Sequence, residues 1–539
     1  MSKESAELLF SHITKTPADV EAEYPPRGIE GCVTRFAPSP TGFMHIGGLF
    51  AGLICQRVAH QTNGVFFLRI EDTDKKREVE GGVEEIVNSL SAFGINFDEG
   101  ATSSTTEKGA YGPYRQSHRA EIYQTFAKSL VEQGKAYPCF CTEEELNEIR
   151  AKQEAVKANP GYYGEWAVHR DMPFDQIKDL VEKGVPYVLR LKSNGSLDKK
   201  IQCKDAIKGK IEMPQNDQDI VLLKSDGIPT YHFAHAVDDH LMGTTDVIRG
   251  DEWLSSLPVH LQLFYELGWK APRFAHIAPV MKLEGASKRK LSKRKDPEAA
   301  VSYYHQMGYP ADSVIEYLLN LANSSYEDWR RQNPDAPHED YVLDMKKMSV
   351  SGALFDIIKL NDISKTVISK MPAEKVYDMT LEWAKKYDEE FATLLEADKD
   401  YAVKILAIGR GGKKPRKDIA KWSDVKDYMA FFYDSLFEAS QPESDVDSDI
   451  ITNYVKVFDI ADDKDTWFAK IRDMSESMGY AGDMKAYKAE PEKYKGNVGD
   501  VSTIIRIAVT NRSNTPDLYD IMQILGEDKV KARLSKYTK

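Results

Sequence analysis

The sequence predicts an α/β chain: a parallel-sheet domain interrupted by an α+β insertion, then a region that is helical almost throughout. Three observations carry this reading. Residues 32–74 run strand, glycine-bearing turn, helix, strand. Such a βαβ unit calls for a parallel sheet, because parallel neighbours need a long crossover. Short β-like runs between turns then fill 170–229, before strand-like runs return at 246–250 and 274–281. Beyond residue 297 the pattern is helical, with no strand alternation.

Taken in order, residues 1–30 are polar and end in YPPRGIEG, so a surface arm is expected. CVTRFA (32–37) alternates as a strand does, and Pro38 and Pro40 then stop regular structure. LFAGLICQRVAHQTN (49–63) has apolar residues at 49, 50, 53, 54 and 58, a helical stripe, with Gly64 as its terminating glycine. VFFLRIEDTD (65–74) is a buried strand that runs into acids. Helices are expected over 116–134, 142–158, 231–240 and 254–268. PYVLRL and DIVLLK supply the strands of the insertion. The implied divisions are an arm (1–30), the first half of the sheet domain (31–110), the insertion (111–229), the second half (230–281), a basic loop with helices (282–370) and a helical region (371–539).

The bulk composition narrows the function classes. With 42% hydrophobic residues, the 539-residue chain has ample material for packed cores. Five cysteines in so long a chain make no disulfide framework and fit a reducing cytosol. No apolar run approaches the roughly 18–20 residues that span a bilayer, and MSKESAELLF has no signal-peptide core. The expectation is a soluble cytoplasmic protein with no membrane partner. A net charge of −13 argues against nucleic acid in bulk, but binding follows local potential, so basic segments matter.

Two segments stand out chemically, RFAPSPTGFMHIGG (35–48) and KLSKR (290–294). In the first, Gly47 and Gly48 open the helix at 49, whose free N–H groups and partial positive charge suit phosphate. His45 is placed to donate to a phosphate oxygen. The second lies within KRKLSKRK (288–295), after Gly285 and Ala286, and reads as a mobile cationic loop whose Lys290 and Lys293 would neutralise a leaving pyrophosphate. Glu71, at the end of a parallel strand, suits an ammonium group, and Arg249, at another strand end, suits a carboxylate. Trp253 could stack on an adenine. Cys139 and Cys141 form a C-x-C pair, with His169 the one downstream candidate nearby and no third cysteine beside it. A structural zinc needs four ligands, so two buried thiols are expected.

In this order, RFAPSPTGFMHIGG, RIEDTDKKR, YRQSHRAEIY, AYPCFCTEEEL, GIPTYHFAHAVDDHLMGTTDVIRGDEWLSS and KLSKR resemble glutamyl-tRNA synthetases of the bacterial type, a class I aminoacyl-tRNA synthetase family. HIGG matches the family's HIGH motif and KLSKR its KMSKS loop. The resemblance implies a Rossmann-like catalytic domain with an acceptor-stem insertion at 111–229, a stem-contact domain at 282–370 and an anticodon-binding domain at 371–539. It implies a monomer that activates L-glutamate with ATP and Mg²⁺ and transfers it to tRNA(Glu). Carried over by motif, Arg35, Ala37, Ser39, Glu71, Tyr231, His235 and Arg249 form the glutamate pocket. Pro38, Thr41, Gly42, His45, Gly47, Gly48, Trp253, Lys290, Leu291, Ser292, Lys293 and Arg294 hold ATP, with His45, Lys290 and Lys293 the catalytic group. Many relatives add a Cys and a His to the C-x-C pair to bind zinc; Trp166 stands near where that cysteine would fall, so no zinc is expected.

GRGGKKPRKDIAKW (409–422) puts Lys413, Lys414, Arg416 and Lys417 where tRNA phosphates could lie. A truncated relative that glutamylates a modified base of tRNA(Asp) would lack the long region after KLSKR. A glutaminyl enzyme would usually carry β-barrel anticodon domains, and a non-catalytic paralogue would have lost His45, Lys290 or Lys293. Whether tRNA(Gln) is also charged depends on how the helical region reads the last anticodon base.

Overall fold

The computed structural model describes residues 2–40, 42, 44–74, 79–292 and 294–539. Thr41 and Lys293 lie outside the described residues. The chain forms two compact units, Met1–Tyr303 with Ile315–Asp356, and Tyr304–Val314 with Ile357–Lys539.

The first unit is built on a six-stranded sheet in the order Arg273–Ile277, Asp246–Gly250, Val33–Phe36, Val65–Leu68, Glu99–Ala101, Glu107–Lys108. Only the last pair is antiparallel. From Val33–Phe36 the chain crosses to Val65–Leu68 on one side, and it returns at Asp246–Gly250 on the other. Strand order reverses there, which opens a crevice at the carboxyl ends of the strands. The register sets Arg35 beside Phe67 and Arg249 beside His276.

The first crossover helix, Ile46–His60, buries Ile46, Leu49, Phe50, Leu53, Ile54 and Val58. It begins three residues earlier than the apolar stripe suggests, because His45 caps it with its own ring. Its end also differs from expectation. Asn63, not Gly64, takes the left-handed backbone, at φ 55°. Gly64 is a glycine for another reason: a Cβ there would sit 1.9 Å from the Cys32 carbonyl oxygen.

The expected arm at 1–30 is instead packed structure. Helices Ser2–Leu9 and Pro17–Glu23 bring Ala6, Leu9, Phe10, Ile13 and Val20 into a core with Tyr123, Phe126, Leu130, Phe233 and Phe264. Ala6 and Leu9 lie on the first helix and Phe10 and Ile13 follow its end, so this core contact shows in the sequence only as scattered apolar residues among polar ones.

The insertion is α+β as expected. Ala136–Cys139, Val188–Leu191 and Val221–Leu223 pair antiparallel, and Lys200–Asp205 with Gly209–Pro214 forms a separate hairpin. Thr142 and Glu145 make a capping box at the start of Glu143–Ala155. After the last sheet strand the basic segment is not simply a loop: Met281–Glu284 and Ser287–Lys290 form a hairpin that pairs Met281 with Lys290 and turns at Gly285, φ 61°.

The second unit is helical. Phe391, Phe432, Tyr454, Ile471, Ile505 and Ile521 belong to its core. Asp388, Asp398, Asp447, Asp463, Asp483 and Asp517 each cap a helix by accepting a backbone N–H.

Candidate active site

A cavity of about 470 Å³ opens at the strand ends around the reversal point. Arg35 and Phe36 line it from the first strand and Ala37, Pro38 and Ser39 from the segment just after it, His45, Gly47 and Gly48 from the helix start, and Glu71 from beyond the end of the second strand. Tyr231, Arg249, Trp253 and Lys290 complete the expected set on its wall. Residues distant in sequence therefore meet, as the two motif halves require. They are also tied together: Val301, just past the cationic segment, donates its N–H to Met44 O at 3.1 Å.

His45 Nδ1 accepts from Gly47 N–H at 2.9 Å. In the neutral ring the proton is then on Nε2, the donor geometry that suits an anion at the helix start. Trp253 lies against Tyr231, ring centroids 4.2 Å apart.

Beneath the floor is a buried ionic network. Asp239 takes Arg69 Nη1 at 2.7 Å and Arg35 Nε at 3.2 Å, and Asp238 takes Arg119 Nε at 2.7 Å. Burial opposes the Asp239 charge, but Arg69 and Arg35 outweigh it and hold the carboxyl well below its usual range. Glu71 meets Arg69 Nη2 at 3.2 Å. Burial pushes its carboxyl up to about 7, against the pull of Arg69 and Arg35.

Arg249 is 6% exposed, and burial lowers its pKa. Its Nε donates to His276 Nε2 at 3.1 Å and its Nη1 to His260 Nδ1 at 2.9 Å. Its Nη2 is buried with no hydrogen-bond partner among the described residues. A buried guanidinium with one unsatisfied side, on a cavity wall, is suited to an incoming carboxylate.

Not every expected residue reaches the wall. His235 is fully buried beneath the cavity, its ring parallel to Tyr231 at 5.8 Å between centroids. Its Nδ1 is 2.7 Å from Asp239 Oδ2, off the line of a hydrogen bond. Burial pushes its imidazole down to about 3. Leu291 is a core residue, and Gly42, Ser292 and Arg294 are not on the wall. Sequence reading missed Ile248, Glu252 and the stretch Ile277–Val280. The signal was available for the last, since 274–281 ends a parallel strand, where such crevices open.

In the insertion, Cys139, Cys141 and His169 put three ligand atoms within 4.8 Å of one another. His169 does join the thiols, then, although Phe140 N–H already donates to its Nδ1 at 3.2 Å. Tyr162 OH lies 3.5 Å from Cys141 Sγ.

Residues 31–361 match the family of class I tRNA synthetases (E and Q), catalytic domain, and residues 415–538 match an anticodon-binding domain. A glutamate–tRNA ligase of Clostridium perfringens is 52% identical, covering 99% of this chain and 98% of its own. One from Acetivibrio thermocellus is 51% identical over 99% of both chains.

The chain belongs to the class I glutamate–tRNA ligases.

A crystal structure of a glutamate tRNA ligase from Elizabethkingia meningosepticum, in complex with its amino acid, superimposes with a TM-score of 0.74 at 29% identity. The match covers 94% of this chain and 99% of that one. The ligase thus has the α/β parallel-sheet catalytic domain and helical anticodon-binding region that its sequence implied. It activates glutamate with ATP and transfers it to tRNA(Glu).

Proposed function

We propose that the cavity holds glutamate and ATP side by side, with Arg249 receiving the side-chain carboxylate. The observation that carries this is the unpartnered, buried Nη2 of Arg249 on the cavity wall. Glu71 then faces the α-ammonium, and Arg35, Ala37, Ser39 and Tyr231 shape the rest of the pocket. His45, Gly47 and Gly48 at the helix start take ATP phosphate, Trp253 takes the adenine, and Lys290 balances charge on the leaving pyrophosphate. Mg²⁺ accompanies the nucleotide. Attack of the glutamate α-carboxylate on the α-phosphate needs no protein nucleophile, so the work of these groups is positioning and charge stabilisation. Lys293 and Thr41 retain the ATP roles assigned from their motifs. His235 acts from below, by supporting Tyr231.

The enzyme acts as a monomer in the cytoplasm. Among the described residues no helix is long and apolar enough to cross a membrane. The C-x-C cluster works without zinc: the described His, Cys and acidic residues supply three ligands where a structural site takes four.

In the second unit a cavity of about 580 Å³ is lined by Trp467, Phe468, Ser502, Thr503 and Arg506. Arg506 Nε is buried without a partner among the described residues. Aromatic faces, hydroxyls and a guanidinium suit an unstacked base, and this cavity takes one from the anticodon loop.

The deciding experiment is glutamate-dependent ATP–pyrophosphate exchange with tRNA(Glu) present. Arg249→Gln should lower kcat/KM for glutamate by about 100-fold or more while leaving the KM for ATP near wild type. A variant that uses glutamate normally would remove Arg249 from the pocket.

A further inference from the structure

The three nitrogens of the Arg249 guanidinium are not equivalent. Nε and Nη1 are engaged by ring nitrogens of His276 and His260. A guanidinium only donates, so both of those ring nitrogens must accept. The ring protons are then on the far sides. His276 Nδ1–H donates to Asp205 Oδ2 at 2.7 Å, and His260 Nε2–H donates to His232 Nδ1 at 2.9 Å. Burial lowers the pKa of both His276 and His260, so each ring is neutral, as the bonding demands.

Asp205 closes this chain from outside the catalytic sheet. It ends the insertion strand Lys200–Asp205, and the turn after it docks on the sheet strand Arg273–Ile277, where Ala206 N–H donates to Phe274 O at 2.8 Å. Its Oδ1 accepts from Ile207 N–H at 2.9 Å and Lys208 N–H at 2.8 Å, and its Oδ2 accepts from the His276 backbone N–H, at 3.1 Å, as well as from the His276 ring. The orientation of the carboxylate, and hence the tautomer of His276, is fixed by backbone.

We propose that Asp205 and His276 are positioning residues that aim the free edge of Arg249, so that the insertion hairpin helps to set discrimination between the carboxylate of glutamate and the amide of glutamine. This rests on the reading that Arg249 meets the substrate's side-chain carboxylate.

Asp205→Asn supplies a test with almost no change of volume. Ile207 N–H and Lys208 N–H, with His276 N–H also in reach at 3.4 Å, keep the amide oxygen at the Oδ1 position, so NH₂ falls at Oδ2, where it loses the His276 N–H bond and donates to His276 Nδ1. The ring proton must then move to Nε2, where it opposes the N–H of Arg249 Nε. A wrong tautomer behind an intact frame is the expected result. In ATP–pyrophosphate exchange with tRNA(Glu) present, Asp205→Asn should raise the KM for glutamate about tenfold, with the KM for ATP unchanged, and should lower the ratio of glutamate to glutamine kcat/KM. His276→Gln, whose amide oxygen can replace Nε2 as acceptor, should retain more discrimination than His276→Phe. An unchanged glutamate KM and ratio in folded Asp205→Asn would overturn the proposal. So would a parallel rise of both KM values, which marks general damage, or equal behaviour of the two His276 variants. Arg249→Gln in the same assay separates the two layers. If it retains glutamate use, the pocket reading itself fails; if it loses glutamate while Asp205→Asn is normal, only the positioning role falls.

Discussion

Glu71 carries the least comfortable charge in the cavity. Burial raises its carboxyl to about 7, and the arginines beside it only partly offset that. If it faces the substrate ammonium, it must be ionised to do so. Below about pH 7 the free enzyme holds it protonated, and kcat/KM for glutamate should fall as pH drops through that value. kcat should titrate at lower pH, because the bound ammonium favours the carboxylate. Glu71→Gln should lose this limb of the profile along with most activity; a limb that persists in the variant would assign it to another group. Glu71 and Arg249 were legible because each sits at the end of a predicted strand, where such crevices open, whereas Arg35 was reached only through the motif it belongs to. The bracing of Arg249 was not, because nothing in FAHIAPVM or LPVHLQLF says that two histidines from different elements converge on one guanidinium.

The elements misread share a physical cause. A solvent-exposed hairpin made of SKRK has no apolar alternation, so Ser287–Lys290 reads as loop although it pairs as strand. That hairpin is latched: Asp296 binds Arg289 through both oxygens, at 2.6 and 2.9 Å, and accepts Ser292 N–H at 2.9 Å. Arg289 hydrogen bonding is the main cause that holds the Asp296 carboxyl well below its usual range. By contrast the strands Val65–Leu68 and Val188–Leu191 and the helix Tyr231–Leu241 were readable, since each is buried along most of its length and shows in the sequence as an apolar-rich run. The insertion cluster gives the prediction at this scale. Metal analysis of protein purified without chelator should find well under one zinc per chain; a stoichiometric zinc that is lost in Cys141→Ser would reverse it.

Over the whole molecule, a chain of net charge −13 must bind a polyanion. Part of the negative charge is structural, since aspartates cap so many helices of the second unit. The basic stretch expected at the RNA is not uniform. Arg416 is held by Asp418 through two bonds, at 2.7 and 3.0 Å, and Lys417 Nζ donates to Thr366, whereas Lys413 and Lys414 are exposed. Replacing Lys413 and Lys414 by Ala should raise the KM for tRNA and reduce the slope of log affinity against log salt by about 1.5. Arg416→Ala should do less. An unchanged slope in the double variant would take this segment out of the RNA surface. Arg506→Ala should raise the KM for tRNA(Glu) with little change in salt slope, since a base contact releases few counterions. The division of labour between sheet unit and helical unit was visible in the periodicity; the second cavity was not, because Trp467, Phe468 and Arg506 read as ordinary helix residues until the helices pack.

Gly64 touches no substrate, yet its missing side chain lets the backbone pass the Cys32 carbonyl as the crossover helix hands over to the second strand. In a saturation-mutagenesis screen for growth, position 64 should therefore be as intolerant as the catalytic motifs. Intolerance there would report the loss of a chain path rather than of chemistry, and such a screen alone would misplace the boundary of the active site.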